Sequence, residues 1–297
     1  MEYIFILNKN AGSHHAIELQ KELEKTYKGK IDYQIYFTKA KKDATNYIKN
    51  YCKTNPDKNS CFVACGGDGT INEVASGIIG EKNKSFAVLS YGSGNDFIKY
   101  YAGKDFLSLD KLFGGKQTQI DAIQVNDSYS VNVVNSGFEA KVGSIANDIK
   151  NKGGKNAYGR GIIKALFTSR KNNIQIKVDG EVITKEKMLL CSFANGKYHG
   201  GKYMCAPYAI NDDGLMEVCL IHPISLFKFA KMLPHYKRGE HLDMDCIKNY
   251  RVYKRAKTAE IFSEKPTELT LDGETLQGTR FLIKILDKAV NFIIPAN

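Results

Sequence analysis

No apolar run in this 297-residue sequence approaches the roughly 18 residues that a membrane-crossing helix needs. Cys-x-x-Cys pairs and His-x-x-x-His spacings are also missing, which removes the common zinc frameworks. Seven cysteines remain, an odd number, and they read as small apolar residues in a reducing compartment; Cys61 and Cys65 share one face of an apolar run. No aromatic-interleaved RNA-binding pattern, internal repeat or low-complexity tract is found, so nucleic acid is not expected as a partner. The opening run Tyr3-Ile4-Phe5-Ile6-Leu7 lacks the basic flank and long apolar stretch of a signal peptide, and the expected location is cytoplasmic. Acid is in short supply. Asp and Glu number 32 against 43 Lys and Arg, a formal charge of +11. That balance points to a polyanionic partner, either a phosphorylated substrate or an anionic membrane surface. The excess is concentrated: residues 149–178 carry eight basic side chains and no acid, and residues 227–257 carry nine against three. A solvated basic face is the plain alternative there.

What is present centres on Gly66-Gly67-Asp68-Gly69-Thr70. It follows the short apolar run Cys61-Phe62-Val63-Ala64-Cys65, which reads as a buried strand. It precedes Ile71, Val74, Ala75 and Ile78, which have helical spacing. Glycines let backbone amides approach a polyanion, and the helix start adds partial positive charge. Asp68 would repel phosphate unless a divalent cation lay between them. The combination points to a nucleotide held with Mg²⁺.

Gly66 to Val74, including Asn72-Glu73, resembles the nucleotide-binding loop of the diacylglycerol kinase superfamily, which includes sphingosine and ceramide kinases. The pentapeptide alone is shared more widely, with NAD kinases and phosphofructokinases. Other stretches extend the resemblance in order along nearly the whole chain. Asn8-Lys9-Asn10-Ala11-Gly12 matches the family's Asn-Pro-x-Ser-Gly turn at Asn8 and Gly12, with lysine in place of proline and alanine in place of serine. Thr38, at the end of a strand with period-two alternation, stands where the family uses a threonine near the nucleotide; a turn threonine is the alternative. Gly92-Ser93-Gly94-Asn95-Asp96-Phe97 keeps the glycine, both amide and acid positions and the aromatic of the family's second Gly loop, with serine for threonine. The resemblance implies that Asn8 to Gly12, Thr38, Gly66 to Glu73 (Gly66, Gly67, Asp68, Gly69, Thr70, Ile71, Asn72 and Glu73), Gly92, Ser93 and Asn95 bind the nucleotide.

Beyond about residue 119 the pattern changes to short strands with Asp-Gly and Asn-Asp turns, interrupted by helical stretches at roughly 158–168 and 225–237. The expected fold is an α/β nucleotide-binding domain (1–119, NAD kinase/phosphofructokinase-like) followed by a β-rich, sandwich-like domain (120–297). Gly196 to Lys202 mimics a phosphate-binding loop, but Tyr203 stands where Ser or Thr should follow and no helix is expected after it. The acidic turn Ile210-Asn211-Asp212-Asp213-Gly214-Leu215 suits a hard cation. The resemblance implies a magnesium site using the Asp213 carboxylate and the carbonyls of Ile210 and Leu215, linked to Asp68 and Asp96; a hairpin turn is the alternative.

Phosphoryl transfer to an alcohol needs a carboxylate to accept the hydroxyl proton. Two near-identical strings offer one: Val178-Asp179-Gly180-Glu181 and Leu271-Asp272-Gly273-Glu274. Spacing cannot choose between them, and an Asp-Gly pair between apolar runs is also an ordinary hairpin turn. The resemblance chooses the C-terminal one, with Asp272 as base, Glu274 in support and Asp68 as the third catalytic carboxylate. The implied function is a peripheral membrane lipid kinase moving the ATP γ-phosphate to a lipid hydroxyl, most readily that of diacylglycerol. An anionic membrane surface would be its second partner, and a homodimer is left open. Its rivals are an NAD kinase-like enzyme and a nucleotide-binding regulator without turnover.

Overall fold

A computed structural model of the chain describes residues 1–8, 13–151, 156–168, 172–184 and 187–297. Two compact units emerge: residues 1–120 together with 288–297, and residues 121–287. The stretch 288–297, expected with the second domain, therefore belongs to the first. The reason is packing. Phe292 pairs in register with Phe86, and its ring lies against Phe86, Phe97, Tyr101 and Phe106.

The first unit is a parallel sheet with strand order β4-β3-β1-β2, built from β1 (Glu2–Asn8), β2 (Tyr33–Thr38), β3 (Ser60–Gly66) and β4 (Lys84–Ser90). Helices α1 (Ser13–Glu22), α2 (Asp43–Thr54), α3 (Asp68–Ile78) and α4 (Leu109–Phe113) alternate with the strands. Nearly every residue of β1 and β3 is buried, since a parallel sheet is covered on both faces, and this is why they read as unbroken apolar runs. Because β1, β3 and β4 are parallel, the turns that follow them all leave from the carboxyl ends of the strands, where open α/β sheets take ligands.

The second unit opens with β5 (Lys116–Val125, which begins in the first), β6 (Ser128–Ser130) and β7 (Val133–Gly137). Helices α5 (Phe138–Asn151) and α6 (Ala157–Thr168) precede β8 (Gln175–Val178), β9 (Glu181–Val182) and β10 (Leu190–Ala194). Then come β11 (Tyr198–His199), β12 (Tyr203–Met204), β13 (Met216–Ile221) and α7 (Leu226–Arg238), followed by β14 (Arg251–Ala256), β15 (Thr258–Leu271) and β16 (Glu274–Ile294). Its antiparallel ladder runs β14-β13-β10-β7-β15-β16. Alternate residues of β10 enter different cores: Cys191 and Phe193 pack with β13, β15 and β16 side chains, whereas Leu190 and Ala194 pack with α5 and α7. Both fold expectations hold, an α/β unit and a β-rich unit. Helix α5 was not among the expected helices, although Phe138, Val142, Ile145 and Ile149 have the spacing of a buried stripe. The Gly196 to Lys202 stretch forms the first strand and turn of the small β11–β12 hairpin, and no helix follows, as expected. No described helix is long and apolar enough to cross a membrane.

Candidate active site

The two Gly loops of the first unit are built against each other. A Cβ on Gly92 would overlap the Cα of Gly67, and one on Gly94 would overlap the Asp68 carboxylate. Only glycine permits that approach, so the loops after β3 and β4 form one backbone surface. Asp68 begins α3, and its Oδ1 accepts the amide of Asp96 at 2.6 Å, tying the two loops together. Asp96 is itself ion-paired with Lys99 at 2.6 Å. Asn95 takes positive φ (52°) and donates from Nδ2 to the Gly92 carbonyl at 2.7 Å; its Oδ1 is buried with no hydrogen-bond partner among the described residues. A Cβ on Gly69 would meet nothing within 4 Å, so the first turn of α3 is open on that side. Thr70 folds back on Gly66, Ser93 is exposed, and Ile71 and Asn72 are buried.

The first wall is only partly described. Asn8 ends β1 in register with Thr38, whose hydroxyl donates to the Leu7 carbonyl at 3.3 Å. Lys9, Asn10, Ala11 and Gly12 lie outside the described residues. Glu73 reaches the start of α2. Its two carboxylate oxygens accept the amides of Lys42 (2.9 Å) and Ala44 (3.2 Å), capping the start of α2, and its carbonyl accepts the Thr45 hydroxyl.

In the second unit the twin strings are the same local structure. Asp179 and Gly180 take φ of 46° and 84°; Asp272 and Gly273 take 48° and 94°. Positive φ at both central residues is the hairpin turn that matches strand twist, and Asp-Gly is the pair that tolerates it. Both side chains then turn back onto a neighbouring segment. Asp179 accepts from the Thr258 amide (2.8 Å) and hydroxyl (2.9 Å) and the Lys257 amide. Burial opposes its ionisation, but these bonds outweigh that and lower its pKa. Asp272 accepts the Ser130 hydroxyl at 2.7 Å and the amides of Val131 and Val133, both at 2.9 Å. Glu274 pairs across the hairpin with Leu271. At the acidic turn, Asp213 accepts the Leu215 amide at 3.1 Å and is ion-paired with Arg255, which also reaches Glu217 at 3.0 Å. Ile210 is exposed.

One charged group was not anticipated. Glu139, in the first turn of α5, is 4 % exposed. It accepts the Ser192 hydroxyl at 2.6 Å and the Tyr236 hydroxyl, and sits 2.8 Å from His199 Nε2. Burial would push its carboxyl up, but the His199 charge and hydrogen bond, with Ser192 and Tyr236, hold it below the ordinary value. The cluster lines a narrow cleft whose other walls are apolar: Phe138, Val142, Ile162, Phe229, Met232 and Leu233. Its partners lie far away in sequence, so only the folded chain assembles it.

A model of the diacylglycerol kinase catalytic domain matches residues 2–125, and one of the YegS C-terminal NAD kinase beta sandwich-like domain matches residues 132–294. The chain belongs to the diacylglycerol kinase family of lipid kinases. It is 28% identical to a diacylglycerol kinase of Bacillus subtilis over 262 residues, 86% of this chain and 84% of that protein. A Shewanella frigidimarina protein named "Probable lipid kinase YegS-like" is 28% identical over 244 residues, 78% of this chain and 75% of that one. Among solved structures, a diacylglycerol kinase from Bacillus anthracis superposes with TM-score 0.71 at 21% identity, covering 99% of this chain and 96% of that one. An Archaeoglobus fulgidus NAD kinase in complex with ATP superposes with TM-score 0.53 at 11% identity, covering 99% and 94%.

Proposed function

We propose that this chain is an ATP- and Mg²⁺-dependent kinase acting on a membrane lipid hydroxyl, with diacylglycerol as the acceptor. The observation that carries the reading is the pair of glycine loops joined by the Asp68–Asp96 contact at the start of α3. The cradle suits a nucleotide: the backbone approach excludes Cβ atoms, Asn95 Oδ1 is a buried acceptor without a described partner, and the helix start favours anionic phosphate. Asp68 and Asp96 carry the hard oxygens a magnesium ion takes, though Lys99 already pairs with Asp96 and would have to give way. At the Asp213 turn, Arg255 already supplies the positive charge, so a cation held by Asp213, Ile210 and Leu215 would have to displace it. Bound Mg²⁺ would neutralise charge on the transferring phosphoryl group.

Of the chain's own residues, Gly66 to Thr70, Gly92, Ser93 and Asn95 are assigned to the nucleotide, and Asn8 and Thr38 to its edge. Asp272 is assigned the acceptor's proton; Ser130, Val131 and Val133 orient its carboxylate. Glu274 supports it. Glu73 is assigned to α2 and not to the nucleotide. The apolar walls of the narrow cleft beside Glu139 are assigned to the acceptor's alkyl portion, which would have to widen the cleft to enter. The relatives' names support diacylglycerol as the acceptor.

The test is ATP- and Mg²⁺-dependent phosphate transfer to diacylglycerol in mixed micelles, with melting curves for the wild type, Asp272→Asn and Asp179→Asn. Asp272→Asn places an amide NH₂ against part-buried N–H donors, which costs about 1–3 kcal/mol of stability, whereas the bonds of Asp179 are exposed and Asp179→Asn costs less. The expected result is phosphate transfer lost only in Asp272→Asn, at a temperature where its melting curve shows it still folded. Equal activity in all three sinks the proposed base. Transfer to NAD⁺ with none to lipid moves the enzyme to the NAD kinase class.

A further inference from the structure

Helix α7 presents two faces of opposite character. Phe229, Met232 and Tyr236 are buried in the second unit's core, at the spacing of a helical stripe. The opposite face carries Leu226, 51 % exposed, and Phe227, 79 % exposed, followed by Ala230, Lys231, Pro234, Lys237 and Arg238, all exposed. No acidic residue occurs between Leu226 and Arg238. One end of α7 is anchored by the Ser225 hydroxyl accepting the Lys228 amide and the other by Gly239 at φ 77°, so Leu226 and Phe227 are held in the first turn of an ordered helix. Single exposed apolar side chains are ordinary on protein surfaces. Two adjacent ones at the head of a helix whose outer face is otherwise small or basic form an interfacial pattern: apolar side chains to enter the acyl boundary, cations to meet headgroups.

Helix α6 repeats it. Ile163 is 62 % exposed between exposed Arg160 and Lys164, and the helix has no acid. The neighbouring Ile162 lines the same cleft as Phe229, Met232 and Leu233 of α7. The two helices that flank the cleft therefore both expose an aliphatic or aromatic residue beside basic ones.

We infer that the outer face of α7, led by Leu226 and Phe227 and aided by Ile163 of α6, docks on an anionic lipid bilayer. The choice of a bilayer as occupant rests on the lipid-kinase reading. Phe227 and Leu226 enter the interface, Lys231 and Lys237 lie against the phosphates, and the cleft between the helices faces the surface that holds the acceptor. Phe227 and Leu226 do not line the cleft, so their part is docking and not acceptor binding.

The chain has no tryptophan, so a Phe227→Trp variant carries a single indole reporter. Its fluorescence is followed on adding vesicles of phosphatidylglycerol and phosphatidylcholine, with and without brominated chains. A Val182→Trp variant serves as control, since Val182 is 47 % exposed in the β8–β9 hairpin. The expected result is a blue shift and bromine quenching for Phe227→Trp alone, weakening as salt rises. Co-sedimentation of a Leu226→Ser/Phe227→Ser double variant with the same vesicles is expected to be about tenfold or more weaker than that of wild type. Phosphate transfer by that variant to a water-soluble short-chain acceptor stays at the wild-type level.

An unchanged Phe227→Trp spectrum, or equal shifts at both positions, overturns the proposal. So does emission already blue-shifted before vesicles are added together with a concentration-dependent mass, which assigns the face to a second copy of the chain. Docking without phosphate transfer to any lipid overturns the kinase reading and leaves the docking face standing. Transfer without docking does the reverse.

Discussion

Asp179 and Asp272 show how little a local string decides. Each sits at positive φ ahead of a glycine, and each gives its carboxylate to a neighbouring segment. The residue distinguished by family resemblance is thus fixed by hydrogen bonds as its twin is, in a more buried setting, and loss of activity in Asp272→Asn has meaning only beside that variant's own stability. His241 gives a second prediction at this scale. It is fully buried, with its ring 4.3 Å from that of Tyr236, and Sγ of Cys219 lies 3.8 Å from Nε2. Burial lowers its pKa to about 4, with Arg251 and His199 adding to the shift and Glu139 opposing it. In the unfolded chain the ring takes a proton near its ordinary value of 6.5. The unfolded state therefore binds more protons below that pH, and stability falls as pH drops from about 6.5 to about 4; above 6.5 this group has no effect. Urea unfolding is expected to show the wild type losing about 1–2 kcal/mol more than His241→Phe between pH 6.5 and pH 5. Parallel slopes would remove His241 from the acid response.

Among the elements, the β3–α3 turn and the loop after β4 act as a pair. In sequence they are two separate glycine patterns; in the fold the Cα of Gly67 lies where a Cβ of Gly92 would go. Gly92→Ala must separate the loops or shift the start of α3. It is expected to weaken ATP binding tenfold or more while the melting temperature of the second unit is unchanged, read by nucleotide titration and by hydrogen exchange of each unit. Unaltered ATP affinity would show that the loops do not form a common nucleotide surface. Helix α7 was legible in the basic stretch 225–237, and its caps Ser225 and Gly239 lie at its ends. Helix α5 was legible in its apolar spacing but is masked by following directly on β7, where Gly137 takes φ 75°. The contacts of Glu73 could not be read locally, because its partners, the Lys42 and Ala44 amides, lie far back along the chain.

For the whole molecule, the return of residues 288–297 to the first unit is the main departure from the expected organisation. Phe292 is fully buried and centres a ring cluster with Phe86 at 4.7 Å, Tyr101 at 5.1 Å and Phe97 at 5.2 Å. Asn291 reinforces it by donating to the carbonyls of Lys82 and Lys84. Phe292→Ala should cost about 3–5 kcal/mol. The loss should appear in the first unit, where exchange protection of β3 and β4 falls although the substitution lies near the C-terminus. Protection lost only in the second unit would contradict the division.

Composition, apolar periodicity and turn motifs were enough to determine an α/β unit followed by a β-rich one and the two glycine loops; the kinase family was implied by the resemblance of the ordered motifs. Those properties depend on residues close together in sequence, where period, turn chemistry and helix starts are local physics. The tertiary structure alone decided which carboxylates are committed: Glu73 to a helix cap, Asp213 to Arg255, Asp272 to the Ser130 hydroxyl and the Val131 and Val133 amides, and Glu139 to a buried His–Tyr–Ser cluster. A carboxylate's role follows from the donors that surround it, and here most of those donors come from segments dozens of residues away.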